Sequence, residues 1–221
     1  TKKQVDCANF PFCTIEPNVG TVKVPDTRID ELSRISKSKK VIPTAIEFVD
    51  IAGLVKGAHK GEGLGNQFLA NIRETDMIAH VVRSFEGDIT HVDGSVDPLR
   101  DAEVIETELM MADLATVEKR LNSIERRAES TGDKDLQAEV RVLKKVQEAL
   151  ASGVMANTLE FAEDDELFIK GMHLITRKPV IYIANVSEED IMNDDWSSPI
   201  GESRIAIPVS VKIDSELVGL S

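Results

Sequence analysis

Four short apolar runs constrain this chain more than any other feature. They are VIPTAIEFVD at 41–50, MIAHVVRSF at 77–85, KPVIYIANV at 178–186 and RIAIPVSV at 204–211. Their continuous apolar texture is that of strands buried on both faces. Between the first two, NQFLANIRETD sets Phe68, Leu69 and Ile72 at helical spacing. Strands alternating with helices predict an α/β fold built on a mostly parallel sheet covered on both faces. Pro43, near the start of the first run, marks a sheet edge or a strand entry.

The texture changes between the second and third strands. Met110, Leu114, Val117, Leu121, Ile124 and Ala128 recur at steps of four and three, which is an a/d seam. STGDKD at 130–135 interrupts it with turn residues. Leu136, Val140, Leu143 and Leu150 then resume a stripe broken by Gln147. This pattern predicts an antiparallel coiled-coil hairpin of two helices with solvated charged outer faces. It is expected as an insertion at 104–172 within an α/β domain made of 1–103 and 173–221.

Composition narrows the function classes. The formal net charge of −13 counts against broad electrostatic capture of nucleic acid, which needs a basic face to release counterions. No apolar run approaches the roughly 20 residues that span a bilayer, and no charged-then-apolar leader is seen, so neither membrane insertion nor secretion is expected. Cys7 and Cys13, six positions apart, fit neither a zinc nor a redox spacing and read as reduced thiols of a cytoplasmic protein. The chain opens on Thr1 rather than Met, which reads as a fragment or a processed chain.

The first strand ends in Asp50, and Gly53 follows after two residues. In a nucleotide hydrolase such a carboxylate holds Mg²⁺, and the glycine N–H approaches the γ-phosphate because no Cβ blocks it. Five glycines between 53 and 65 predict a mobile loop there. Asp-x-x-Gly alone is also ordinary turn chemistry. The third strand sharpens the case by ending in Asn185, Val186, Ser187 and Glu188, and the fourth by ending in Ser210, Val211 and Lys212. Ligands of doubly wound sheets sit beyond the carboxyl ends of strands, where Asn185 could brace a base-binding loop and the backbone of 210–212 could meet a base edge. Upstream, Thr14 lies in an irregular segment from which a hydroxyl could reach Mg²⁺.

Together, NFPFCTIEPN, FVDIAGLVKGAHKGEGLGNQFLANIRETD, HVVRSFE, THVDGSVDP, FIKGMHLITRKPVIYIANVSE and IPVSVKIDSEL resemble the Obg-like ATPase, or YchF, family of P-loop GTPase-related proteins. The resemblance runs over nearly the whole chain. It implies a P-loop NTPase-like, Obg-type G domain carrying the helical insertion. It implies a cytoplasmic ATPase switch associated with the ribosome, on its large subunit, using Mg²⁺ and, as a second ion, K⁺. Thr14 matches the switch threonine on Mg²⁺, and Asp50 with Gly53 matches the Walker B-like motif. Leu54 stands where classical relatives carry a water-orienting glutamine. A leucine cannot orient water, so the resemblance points to His91 as the catalytic group, with His59 a weaker rival. Asn185–Glu188 departs from the Asn-Lys-x-Asp of true GTPases. The aspartate there accepts from guanine N1–H and the 2-amino group, which adenine does not offer, so ATP is expected over GTP.

No Gly-x-x-x-x-Gly-Lys-Ser/Thr occurs in these residues. By the resemblance that loop precedes the segment matching Thr1, and a small β-rich TGS domain follows the segment ending at Ser221. The chain as given is therefore expected to bind nucleotide poorly. Two other readings stand beside the ATPase: a non-catalytic binding module working through the hairpin, and a GTPase with relaxed base choice. The segment between Asn185 and Pro208 reads as too short and polar for a full helix, which bears on the packing of the last strand.

Overall fold

The computed structural model describes residues 18–51, 64–86, 95–202 and 204–220. The chain divides into two compact units, Thr1–Gly53 and Leu54–Ser221. In the first, β1 (Asn18–Lys23) and β2 (Ala45–Asp50) pair antiparallel, with Asn18 opposite Asp50 and Lys23 opposite Ala45. Helix α1 (Thr27–Ser36) connects them. Asp26 caps it by accepting the Arg28 N–H at 3.0 Å, and Lys37 closes it in the left-handed conformation, with φ of 51°. The strand expected from residue 41 pairs only from Ala45, because Pro43 has no N–H to give to a ladder. Its antiparallel partner was not anticipated, so this first strand departs from the parallel expectation.

The second unit holds the parallel sheet. Helix α2 (Leu64–Arg73) buries Leu69 and Ile72 and leads into β3 (Ile78–Ser84). Strands β4 (Val180–Val186) and β5 (Ala206–Val209) follow, in the spatial order β3-β4-β5, all parallel. The last apolar run supplies β5 and then turns into α7 (Val211–Leu220). Val82, Tyr182, Ala184 and Val186 form one apolar face, packed with Ala102 and Ile200 and flanked by the half-buried Trp196. The opposite face presents Val81 and Ile207, 57% and 47% exposed. Cover on both faces is therefore not realised among the described residues. The β4–β5 connection contains only one turn of helix, α6 (Glu188–Ile191), as the polar segment suggested, and one turn is too short to blanket a sheet face.

The charged middle of the chain is a helical hairpin. Helix α3 (Pro98–Thr131) starts with proline at its first turn, behind Asp97, whose carboxylate accepts the Arg100 N–H at 3.0 Å. Gly132, at φ 65°, ends α3, and Asp133 caps α4 (Lys134–Ala151) by accepting from Asp135 and Leu136 at 3.0 and 3.3 Å. Val117, Leu121, Ile124 and Ala128 are buried, as their spacing requires. On α4 the expected Leu143 and Leu150 are buried, joined by Val142 and Val146, whereas Leu136 and Val140 are only partly so. Gln147 interrupts nothing, because Val146 carries that layer. Across the seam Arg120 donates two hydrogen bonds to Glu139, at 2.7 and 3.0 Å, and Lys144 lies 2.6 Å from Glu125. Helix α5 (Glu163–Lys170) adds Ile169 to the same core.

Two polar knots, one fully buried and one partly buried, tie α3 to the rest of its unit. In one, Asp113 is fully buried, and its Oδ2 accepts from the Thr176 N–H and hydroxyl, both at 2.7 Å. Its Oδ1 lies 3.5 Å from the Arg73 guanidinium, which also donates to the Thr116 hydroxyl at 3.2 Å. Lys178 donates to the carbonyls of Arg73, at 3.0 Å, and Thr75. Burial raises the Asp113 pKa against the hydrogen bonds from Thr176 that lower it. In the other, Arg204 donates to both oxygens of Glu106, at 2.8 and 2.9 Å, and the Tyr182 hydroxyl donates to the same carboxylate. Burial pushes the Glu106 carboxyl up, but the bonds from Arg204 and Tyr182 together hold it below the ordinary range. Arg204 also donates to the Ile200 carbonyl at 2.9 Å, so one guanidinium holds the thin β4–β5 connection against both α3 and itself.

Candidate functional site

Parallel pairing places the carboxyl ends of β4 and β5 side by side, with Asn185 opposite Val209. The chain leaves each strand through a helix start, and the two starts are cross-linked. The Asn185 side-chain carbonyl accepts the Val211 N–H at 3.2 Å, fixing the opening of α7 beside the end of β4. Ser187 caps α6: its hydroxyl accepts the Asp190 N–H at 3.1 Å and donates to the Asp190 carboxylate at 2.7 Å. Glu188, next in line, meets the Lys212 ammonium at 2.5 Å. That hydrogen bond and charge raise the Lys212 pKa.

This corner brings together Asn185, Glu188, Val211 and Lys212 through side-chain or backbone contact, with Ser210 adjacent. Val186 is different. It is buried in the sheet core, 3% exposed as a whole residue. Ser210 is buried too, and its hydroxyl has no hydrogen-bond partner among the described residues. The corner thus holds one buried hydroxyl, one engaged amide and one closed ion pair.

Asp50 belongs to the other unit, where it is exposed at the end of β2. Thr14, Gly53, His91, Leu54 and His59 lie outside the described residues. Among the described residues no cluster of three or more His, Cys, Asp or Glu could hold a metal ion. Mg²⁺ asks for less than such a cluster, since it keeps most of its waters and takes one or two protein oxygens. An exposed strand-end carboxylate such as Asp50 fits that demand. No helix of the described residues is long and apolar enough to cross a membrane.

Sequence reasoning singled out both Glu188 and Lys212 but not their pairing. It missed Asp113, Thr176, Glu106 and Arg204 altogether. The available signal was that Asp113 falls three residues after Met110, on the buried side of α3.

A three-stranded parallel sheet with helices at its strand ends, and an asparagine bracing two of those ends, is the frame of an α/β G domain. The sequence model for the 50S ribosome-binding GTPases matches residues 1–145, and the chain belongs to that family. Its homology to the YchF ribosome-binding ATPases runs over the full chain, as the motifs led one to expect. It is 47% identical to the ribosome-binding ATPase YchF of Bacillus subtilis over 229 residues, covering all of this chain and 62% of that protein. To the Escherichia coli O157:H7 protein of the same name it is 46% identical over 226 residues, again covering 62% of it. The structure of the Schizosaccharomyces pombe YchF GTPase superposes with a TM-score of 0.74 at 34% identity, over 97% of this chain and 61% of that one. The chain thus spans about three-fifths of the length of these relatives.

Proposed function

We propose that this chain is the nucleotide-responsive core of an ATP-hydrolysing switch that acts on the ribosome, on its large subunit, in the cytoplasm. The observation that carries the reading is the braced corner of Asn185, Glu188 and Ser210–Lys212 at adjoining parallel strand ends. The relatives named as ribosome-binding ATPases supply the partner class. Asn185, Val186 and the 210–212 entry into α7 receive the base. Asp50 and Thr14 hold Mg²⁺, with K⁺ a second ion; Mg²⁺ neutralises charge on the phosphates when bound. The Gly53 N–H meets the γ-phosphate. Leu54 has no polar atom for the attacking water, so His91 orients it or stabilises charge on the phosphoryl group. ATP is preferred to GTP because Asn185–Glu188 departs from Asn-Lys-x-Asp: Glu188 is one methylene longer than the aspartate that receives guanine's two donors.

The division of labour follows the packing. Ala102 packs with the sheet, whereas Met110 and the residues after it pack within the hairpin, although α3 is continuous through both. Residues 1–103 and 173–221 then form the nucleotide domain, and 104–172 the lever or docking arm.

The test is ATP turnover by the full-length protein carrying these residues, with Mg²⁺ and K⁺ present. Multiple turnover with ATP favoured over GTP supports the reading, and no turnover of either overturns it. The 221 residues contain no Gly-x-x-x-x-Gly-Lys-Ser/Thr loop, so alone they should show no micromolar ATP binding by calorimetry. The self-contained core of the hairpin favours one second reading, a non-catalytic ribosome-binding module; an inert full-length protein that still binds ribosomes would establish it.

A further inference from the structure

The corner at the ends of β4 and β5 holds a carboxylate that is already engaged. Glu188 stands in the place from which a guanine-reading acid would act, and its Oε1 lies 2.5 Å from the Lys212 ammonium. The pair is no chance meeting of two loose side chains. The Asn185 side chain holds the Val211 N–H at 3.2 Å, which anchors the backbone one residue before Lys212 beside the strand that leads to Glu188. Ser187 caps α6 through Asp190, which anchors the backbone one residue before Glu188. Both partners are thus set on fixed supports.

We propose that Lys212 is a specificity-determining, positioning residue of this chain: it occupies Glu188 and thereby denies guanine its acceptor. The inference rests on the reading of this corner as the base site. Guanine presents two donors, N1–H and the 2-amino group, and to use Glu188 it must displace an ammonium from a charge-assisted contact. Adenine presents an acceptor at N1 and has no 2-amino group, so it loses nothing when Glu188 is taken. Lys212 therefore acts by negative selection against the wrong base, not by contact with the right one. Both side chains remain about half exposed or more, at 47% for Glu188 and 71% for Lys212, so the discrimination is modest. A surface pair of this kind is worth about two- to fivefold in an equilibrium.

The experiment compares ATP and GTP dissociation constants for the full-length protein and three variants: Lys212→Ala, Glu188→Ala, and the two combined. Lys212→Ala is expected to move the ATP-to-GTP preference toward GTP by about two- to fivefold. The double variant should lose that shift, because truncation to alanine removes the freed acceptor; a merely structural role for Lys212 would leave the shift in place. In the unsubstituted protein, raising the ionic strength should move the preference in the same direction as Lys212→Ala, because salt screens the pair. An unchanged preference in Lys212→Ala with ATP still bound overturns the inference alone. Failure of the unsubstituted protein to bind either nucleotide overturns the reading of the corner and the inference with it.

Discussion

Asp113 shows what a single charge is made to do in this molecule. It is fully buried, yet two donors from Thr176 converge on one of its oxygens at 2.7 Å. Thr176→Val keeps the shape and removes the hydroxyl, so Oδ2 loses one of its two donors from Thr176. The expected cost is about 2 kcal/mol, read as a lower urea midpoint with an unchanged slope. Glu106 allows a pH test with a definite sign. Its pKa is held below the ordinary glutamate value of 4.5, so the native state binds fewer protons than the unfolded one. Its contribution is complete above that value and is lost as the pH falls through the lower, folded value. The stability gap between the wild type and Glu106→Gln should therefore be widest near neutrality and close in acid. Asp113 works in the opposite sense: its raised pKa makes its contribution greatest in acid and weaker as the pH rises past the folded value. Neither residue was legible in the sequence. A charged residue in a helix reads as surface, and only the fold shows that Thr176 and Arg204 arrive to meet these two.

At the scale of the element, the hairpin was the most legible part, because a repeat at steps of three and four has one physical solution. On its second helix the expected Leu143 and Leu150 are buried, but Val142 and Val146 share the seam with them in place of Leu136 and Val140, which stay partly exposed. Val146→Ala should cost about 2 to 3 kcal/mol, and Gln147→Ala under 1 kcal/mol, by chemical denaturation. The turn gives a cleaner case. Nothing lies within 4 Å of a Cβ added at Gly132, so Gly132→Ala tests the left-handed backbone alone and should cost about 1 kcal/mol. Strand β1 escaped the sequence reading because NVGTVK mixes glycine and polar residues with two valines. It is a strand because β2 offers it a ladder, which is a tertiary cause and not a local one.

For the whole molecule, Val211 and Lys212, expected at the end of the fourth strand, open α7 instead, whereas the parallel sheet and the strand end at Asn185 could be read directly from the apolar runs. The contact that gives the corner its chemistry, Glu188 with Lys212, could not, since it depends on two connections being brought to one edge. The catalytic reading makes its own prediction. In the full-length protein His91→Ala should slow ATP turnover by about a hundredfold while ATP affinity stays within a factor of about two, the signature of a group used only in the transition state. Equal losses in both would assign His91 to binding or folding.

Trp196, half-buried against the cluster that contains Val186, is the single tryptophan of these 221 residues. Intrinsic fluorescence of this chain therefore has one address. Excitation at the indole band reports on the connection between β4 and β5, a short walk from the braced corner, without label or mutation. A shift in its emission on adding nucleotide would be an optical record of that connection moving, and a red shift in denaturant would time its exposure against the loss of helix in the hairpin. The thin crossover thus carries the molecule's own lamp.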